Sequence, residues 1–222
     1  MALDPLIIGI VPSLIWLALF LFEDRRHPEP RRMIFYVFLA GGFATAVAAI
    51  PELYIQRLFS ISGELASSLS FLFSFAFIEE VAKFAAVYIV VRRSRFFDEW
   101  VDGMVYMVTA ALGFAAIENM LNLMGTSLIA EVALVRGMGA TLLHALASGI
   151  VGFYWMRKRP LEGLFFATII HGLFNFLILQ FGGVQVYPFL LLSLAAVFTF
   201  HDFELLKRRD ALRMIKRPTF RR

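Results

Sequence analysis

The residues best suited to chemistry are two glutamates and a lysine inside an apolar segment. Glu79, Glu80 and Lys83 lie between Leu65 and Val91, a stretch that carries no other charged residue. Each charge near the middle of a bilayer would cost roughly 2.5–3.5 kcal/mol on insertion scales, so such groups persist when they pair, line a wet cavity or react. Their spacing of three and four residues places all three on one side of a helix. The pattern therefore indicates either a structural ion pair or an acid–base group inside a membrane.

Later apolar segments contain a few more polar residues, Glu118, His144, His171 and Asn175. Each of these residues, and Glu80, is separated along its own segment by about 12 to 16 residues from a charged loop residue at the same end of the bundle. That depth is roughly 18–24 Å at 1.5 Å per helical residue. Side chains from four segments thus share one level, which predicts a common site and not a set of isolated packing residues.

The types of these residues suggest hydrolysis. His171 and Asn175 are four residues apart, share a helix face and suit the stabilisation of a developing oxyanion. Glu79 or Glu80 could act as a general base on a water molecule. A carboxylate that removes a proton and a histidine–asparagine pair that receives negative charge are together typical of hydrolysis at a carbonyl.

Composition places this site in a membrane protein. The chain has 222 residues, is 60% hydrophobic and has a mean hydropathy of +0.76, which excludes an ordinary soluble domain. It contains no cysteine, so disulfides, a thiol nucleophile and cysteine metal sites are excluded. Most apolar segments approach the ~20 residues that span a bilayer as a helix. We predict an all-α polytopic fold of about seven transmembrane helices: Pro5–Phe22, Met33–Pro51, Leu65–Val91, Gly103–Met124, Gly137–Met156, Gly163–Phe181 and Val186–Phe200.

Basic residues predict the orientation of these helices. The connections between the segments are alternately rich and poor in lysine and arginine, and eight of these cations follow residue 206. The positive-inside rule then puts the N-terminus outside and the C-terminus in the cytoplasm. We expect residues 1–206 to form one transmembrane helical domain and residues 207–222 a basic cytoplasmic tail near anionic headgroups.

The order of these residues resembles the PrsW family of intramembrane proteases, which is distantly similar to the CAAX prenyl endopeptidases of the ABI family. The matching motifs are Glu79-Glu80-x-x-Lys83, Asp98-Glu99-x-x-Asp102-Gly103, Phe114-x-x-x-Glu118-Asn119, His144, His171-x-x-x-Asn175 and the Glu29-Pro30 loop.

The resemblance implies roles for most of these residues. Glu79 would activate the water, Glu80 would pair with Lys83, and His171 with Asn175 would form the oxyanion site. Glu118 stands where the CAAX relatives have a histidine that helps to hold the water. The lysine comes one position earlier than their arginine, and the role of His144 stays open.

The activity implied by the resemblance is that of a multi-pass protease of the cell membrane, of the glutamic type and active in regulated proteolysis. Its partners would be the lipid bilayer and a single-span membrane substrate such as an anti-sigma factor, with no nucleic acid. No cofactor is expected.

Three alternatives remain open on sequence grounds. A zinc protease could use Glu118, His144 and His171 as ligands, although no His-Glu-x-x-His motif is present. Buried glutamates and histidines also line transporters and proton channels. Ser148 lies in a rhomboid-like context, but Leu146 replaces the glycine that such a site needs.

Overall fold

A computed structural model describes residues 5–25, 28–62, 68–124, 139–181 and 186–216. Within these ranges the chain is helical and contains no strand, which confirms the predicted all-α class. The described residues form seven helices: α1 (Pro5–Glu23), α2 (Arg31–Ser62), α3 (Leu69–Val91), α4 (Asp102–Met124), α5 (Thr141–Met156), α6 (Pro160–Gln180) and α7 (Val186–Lys216).

Length and composition identify this bundle as a multi-pass membrane protein. In the described part of the chain, helices α2, α4, α6 and α7 are each long and apolar enough to cross a bilayer. Helices α1 and α5 are apolar but shorter. Helix α3 has 23 residues and carries the three charges of the central motif. The polytopic class is thus confirmed, while the span count of seven and the outward N-terminus stay predictions.

Two helices are longer than the apolar segments that predicted them. Helix α2 continues past Pro51 to Ser62, because a helical proline interrupts one backbone hydrogen bond without ending the helix. Helix α7 continues past Phe200 to Lys216, so the first part of the predicted basic tail is helical. Helix α3 begins at Leu69, and residues 65–67 lie outside the described ranges.

Helix α4 is the centre of the bundle. It is buried over most of its length and packs against α1, α2 and α5. At its crossing with α2, a Cβ on Gly41 would overlap the Ala110 carbonyl, and one on Gly113 would overlap the Phe38 carbonyl. Small residues allow helices in a membrane to approach this closely. The close approach brings α4 side chains into the interior that α3, α5 and α6 also reach.

The two acidic motifs near the basic loops are located away from the central charges. Asp102 Oδ2 accepts hydrogen bonds from the backbone N–H groups of Asp98 and Glu99, both at 2.8 Å. The hydroxyl of Tyr106 donates to Glu29. These contacts shape the loop before α4 and attach the α1–α2 loop to it. The two motifs therefore help to order this end of the bundle.

A buried carboxyl group at the same end of the bundle responds to pH. Asp24 follows α1 and is only 4% exposed. Burial, together with the negative charge of Glu29, raises the pKa of Asp24 to about 7, although Lys207 opposes the shift. In the folded chain this group is therefore protonated at pH values where the unfolded chain has already released the proton.

We expect the Asp24→Asn variant to be stabilised at high pH only. Because the unfolded pKa is lower, the wild type loses stability as pH rises from about 4 to about 7. The shift from 3.8 to about 7 is about three pKa units, each worth about 1.4 kcal/mol, so the variant should exceed the wild type by up to about 4 kcal/mol near pH 8 and match it near pH 4. Thermal unfolding in one detergent at both pH values measures this, with Glu162→Gln as an exposed control. Equal differences at both pH values would contradict the assignment.

Candidate active site

Helix α3 places its three charged side chains in the interior of the bundle. The Ser68 hydroxyl accepts the Phe71 N–H and caps the helix start. Further along, Glu79, Glu80 and Lys83 are all buried. Lys83 Nζ lies 2.8 Å from Glu80 Oε1 and 3.5 Å from Glu79 Oε2. The spacing along the sequence had predicted both pairs.

Glu80 is the best satisfied of the buried carboxylates. Its Oε1 accepts hydrogen bonds from Lys83 Nζ at 2.8 Å and from His171 Nδ1 at 3.0 Å. Its Oε2 accepts the Ser148 hydroxyl at 2.8 Å. Because Nδ1 of His171 donates its proton to this carboxylate, Nε2 of the neutral ring carries a lone pair. Glu80 therefore orients His171 and has little capacity left to act as a base.

His144 is held by a similar pair of contacts. Its Nδ1 lies 2.8 Å from Lys83 Nζ and its Nε2 lies 2.8 Å from Glu118 Oε2. An ammonium group can only donate, so Nδ1 accepts and Nε2 carries the proton that is donated to Glu118. The Phe114 ring packs against the Lys83 ammonium group, with the ring centroid 4.4 Å from Nζ. Glu118 therefore holds the ring nitrogen of His144 that does not contact Lys83, and it fixes the ring orientation.

Glu79 is the carboxylate that remains available. Among the described residues, its buried Oε2 has no hydrogen-bond partner. This oxygen lies 3.9 Å from His144 Nδ1 and 3.7 Å from His171 Nε2. One carboxylate oxygen and one imidazole nitrogen with a free lone pair, His171 Nε2, thus face the same small volume, while the Nδ1 lone pair of His144 already accepts from Lys83. A water molecule there would have two acceptors, Glu79 Oε2 and His171 Nε2.

A cavity of about 330 Å³ lies over this volume. We define its polar floor as Glu79, Glu118, His144, His171 and Asn175. Asn175 lies one helical turn from His171 and is half-buried. The structure therefore places five of the seven predicted site residues at the cavity, while Glu80 and Lys83 lie beneath them. The catalytic roles of all seven stay predictions.

Three of these side chains carry donor atoms of the types that a divalent cation binds. Glu79, His144 and His171 each offer one atom, all within 4.8 Å of one another. In each histidine, the N–H of the other ring nitrogen donates a hydrogen bond to a carboxylate, as in zinc-binding histidines. The Lys83 ammonium opposes this use, because it occupies the Nδ1 face of His144. The donor types fit a metal, but the local charge does not.

The grouping differs from the zinc alternative that the sequence suggested. That alternative used Glu118 with the two histidines, whereas the structure groups Glu79 with them and sets Glu118 behind His144. The reason is that Glu118 bonds the outer nitrogen of the ring, away from His171. Sequence spacing could not reveal which nitrogen faces which carboxylate.

Two further side chains make contacts near the site that the sequence pattern does not predict. Ser148, four residues after His144 on α5, donates to Glu80, and its helical spacing was the available signal. Glu52 of α2 interacts electrostatically with Glu79 and Glu118, and its Oε1 is buried. The sequence does not predict this position, because the second apolar segment ends at Pro51, one residue before Glu52.

We expect Ser148→Ala to weaken the site without abolishing activity. The substitution removes one of three donors to a buried carboxylate, at a cost of about 1–2 kcal/mol in stability. Looser orientation of His171 should lower kcat about tenfold, which corresponds to about 1.4 kcal/mol. Cleavage kinetics and thermal unfolding measure both effects. Ser193→Ala is the control, since this exposed hydroxyl bonds its own helix. Complete loss of cleavage by a folded Ser148→Ala variant would instead indicate a serine nucleophile.

Comparison with known proteins identifies relatives over most of the chain. Residues 29–201 match the family described as "PrsW family intramembrane metalloprotease". The chain is 32% identical over 181 residues to Protease PrsW of Geobacillus kaustophilus, covering 77% of this chain and 78% of the relative. It is 35% identical over 154 residues to Protease PrsW of Bacillus subtilis, covering 68% and 67%. It is 29% identical over 198 residues to the Oceanobacillus iheyensis protein of that name, covering 83% and 88%. No solved structure matches the chain.

Proposed function

Since this chain belongs to the PrsW family of intramembrane proteases, we propose that it cleaves a membrane-anchored protein by using a water held at Glu79. The family resemblance noted in the sequence is confirmed, and the chain is a membrane protease. The observation that carries the finer proposal is the convergence of Glu79 Oε2, His144 Nδ1 and His171 Nε2 on the cavity.

Glu79 is the proposed general base. Its Oε2 faces the cavity and can accept a proton from a water that attacks the scissile carbonyl. The water oxygen forms a bond to the carbonyl carbon, and the proton moves to Glu79. When the C–N bond breaks, Glu79 returns that proton to the leaving amine. The carboxylate is thus regenerated within one cycle.

The oxyanion role is assigned first to Asn175. Its side-chain amide lines the cavity and can donate to the oxygen that becomes negative. His171 lies one turn away, but its proton is on Nδ1 and is donated to Glu80. Nε2 can therefore hold the water by accepting from it, and could donate to the oxyanion only after gaining a proton. This refines the sequence-based pairing of His171 with Asn175.

Lys83 provides the positive charge that the carboxylates require. It contacts Glu80 at 2.8 Å and Glu79 at 3.5 Å from below the cavity. Its ammonium group also donates a hydrogen bond to His144 Nδ1, so the proton of that neutral ring is on Nε2. Lys83 and Glu80 are proposed to position the reacting groups and not to contact the substrate.

A metal-assisted mechanism is the second candidate, favoured by the donor set and by the word metalloprotease in the family description. Glu79, His144 and His171 would hold the ion. A bound divalent cation would supply Lewis-acid polarisation of the carbonyl and a more acidic water. Lys83 would first have to leave His144 Nδ1.

The proposed substrate is a single-span membrane protein, such as an anti-sigma factor, and the bilayer is the other partner. The predicted orientation places the reacting groups toward the outer half of the membrane, since they lie roughly 18–24 Å from the basic loops. Cleavage on the extracytoplasmic side of the substrate would follow.

We expect Glu79→Gln to lose catalysis while the fold is kept. Glutamine has the same shape but cannot take a proton from water, so kcat should fall ~10²- to 10⁴-fold. Cleavage of a single-span reporter in liposomes measures the loss, and thermal unfolding checks the fold. Glu162→Gln is the control, because Glu162 forms an exposed pair with Arg159. Activity of Glu79→Gln within a few-fold of wild type would contradict the proposal.

We expect a strong chelator to leave cleavage unchanged, because the Lys83 ammonium already occupies the face of His144 that a cation would need. Elemental analysis of the purified protein should give substoichiometric zinc in the wild type and in His171→Ala alike. The metal-assisted candidate predicts the opposite: stoichiometric metal that is lost in His171→Ala, and chelated enzyme that zinc restores.

A further inference from the structure

Above its polar floor, the cavity has an apolar wall built by three helices. Helix α3 contributes two phenylalanines, α5 a leucine, and α6 three large apolar residues. We define the apolar wall as Phe71, Phe75, Leu143, Phe174, Ile178 and Leu179.

Contacts between aromatic rings fix the α3 side of this wall. The rings of Phe71 and Phe75 lie 4.4 Å apart, and Phe71 packs edge-on against Phe59 of α2 at 5.3 Å. Lower down, α3 meets α6 where Gly172 lies against the Phe73 ring. Leu179 at the rim is 57% exposed. The wall is therefore preformed in its lower part and reaches the exposed surface of the bundle.

The chemistry of the wall favours one kind of occupant. A volume of about 330 Å³ is at the small end of ligand sites, which span roughly 300–1,000 Å³. It can take one large side chain beside a peptide bond. Apolar walls offer no partner to a polar group, so burying one there is unfavourable. The Glu79 and Glu118 carboxylates on the floor would also repel an acidic residue.

We propose that the apolar wall is a specificity pocket for one large aliphatic or aromatic side chain of the substrate's transmembrane segment. This inference rests on the proposed function, because the pocket shares its floor with the candidate active site. Extended residues rise about 3.3 Å each, so the selected residue lies within two or three positions of the scissile bond.

The first test varies the substrate. The cleavage site of a single-span reporter is determined by mass spectrometry, and each of the three residues on either side is changed to leucine, alanine or aspartate. At one position, leucine to alanine should lower kcat/KM about 10- to 100-fold, and aspartate should lower it further. A profile that is flat at all six positions would overturn the pocket.

The second test varies the enzyme at the responsive position. Phe75→Ala enlarges the pocket and should shift preference toward tryptophan over leucine, with Phe75→Leu as a milder variant. Ile178→Trp fills the pocket and should shift preference toward alanine. The matched control is Phe77→Ala, on the same helix but 52% exposed. Ratios between substrates are compared, so a general loss of folded enzyme leaves them unchanged.

The outcomes separate this inference from the proposed function. If Phe75→Ala and Ile178→Trp keep the wild-type ratios while Glu79→Gln abolishes cleavage, the pocket is wrong and the reaction stands. If the ratios shift as expected while Glu79→Gln still cleaves, the pocket stands and the role of Glu79 is wrong.

Discussion

One buried carboxylate, Glu80, joins three helices of this bundle. It receives hydrogen bonds from Lys83 on α3, Ser148 on α5 and His171 on α6. An unpaired charge in such a place would cost several kcal/mol, so its donors must be present for the helices to pack as they do. Because one of those donors is His171 Nδ1, the contact that holds the helices also leaves His171 Nε2 facing the cavity. Packing and chemistry therefore depend on the same group.

The two adjacent glutamates of the central motif have different surroundings. Glu80 points into the bundle and is satisfied by three donors, whereas Glu79 points to the cavity with Oε2 unbonded among the described residues. One lysine serves both. Successive residues on a helix are about 100° apart, so neighbours can meet different surroundings while sharing a cation. A fully hydrogen-bonded carboxylate and one that faces the cavity thus arise from a single Glu-Glu pair.

Water is needed for hydrolysis but is scarce at this depth, and the polar floor explains how it could be kept. Glu79, Glu118, His144, His171 and Asn175 give one side of the cavity a set of donors and acceptors. The apolar wall faces them across the same space. A substrate segment that enters from lipid would meet apolar side chains first, and its peptide group would then meet the polar floor.

Much of this site could be predicted from the sequence because charge is rare in apolar helices. Glu79, Glu80 and Lys83 could be identified because a charged side chain inside a membrane carries a high free-energy cost, and their pairing followed from helical spacing. His144, His171 and Glu118 were found because they share a depth, which a count of residues from the loops can estimate. The all-α class followed from composition alone. Each of these inferences uses position along a helix, which the sequence contains.

Only the tertiary structure decided how the helices are rotated against one another. That rotation places Glu118 behind His144, groups Glu79 with both histidines and brings Ser148 to Glu80. Helix α2 also continues past Pro51, and its packing brings Glu52 near the site. A sequence gives the face and the depth of a side chain on its own helix, but which atom it meets depends on the packing of the others. Composition and spacing therefore determined which residues could react, and packing across α3, α4, α5 and α6 decided how they are arranged to do so.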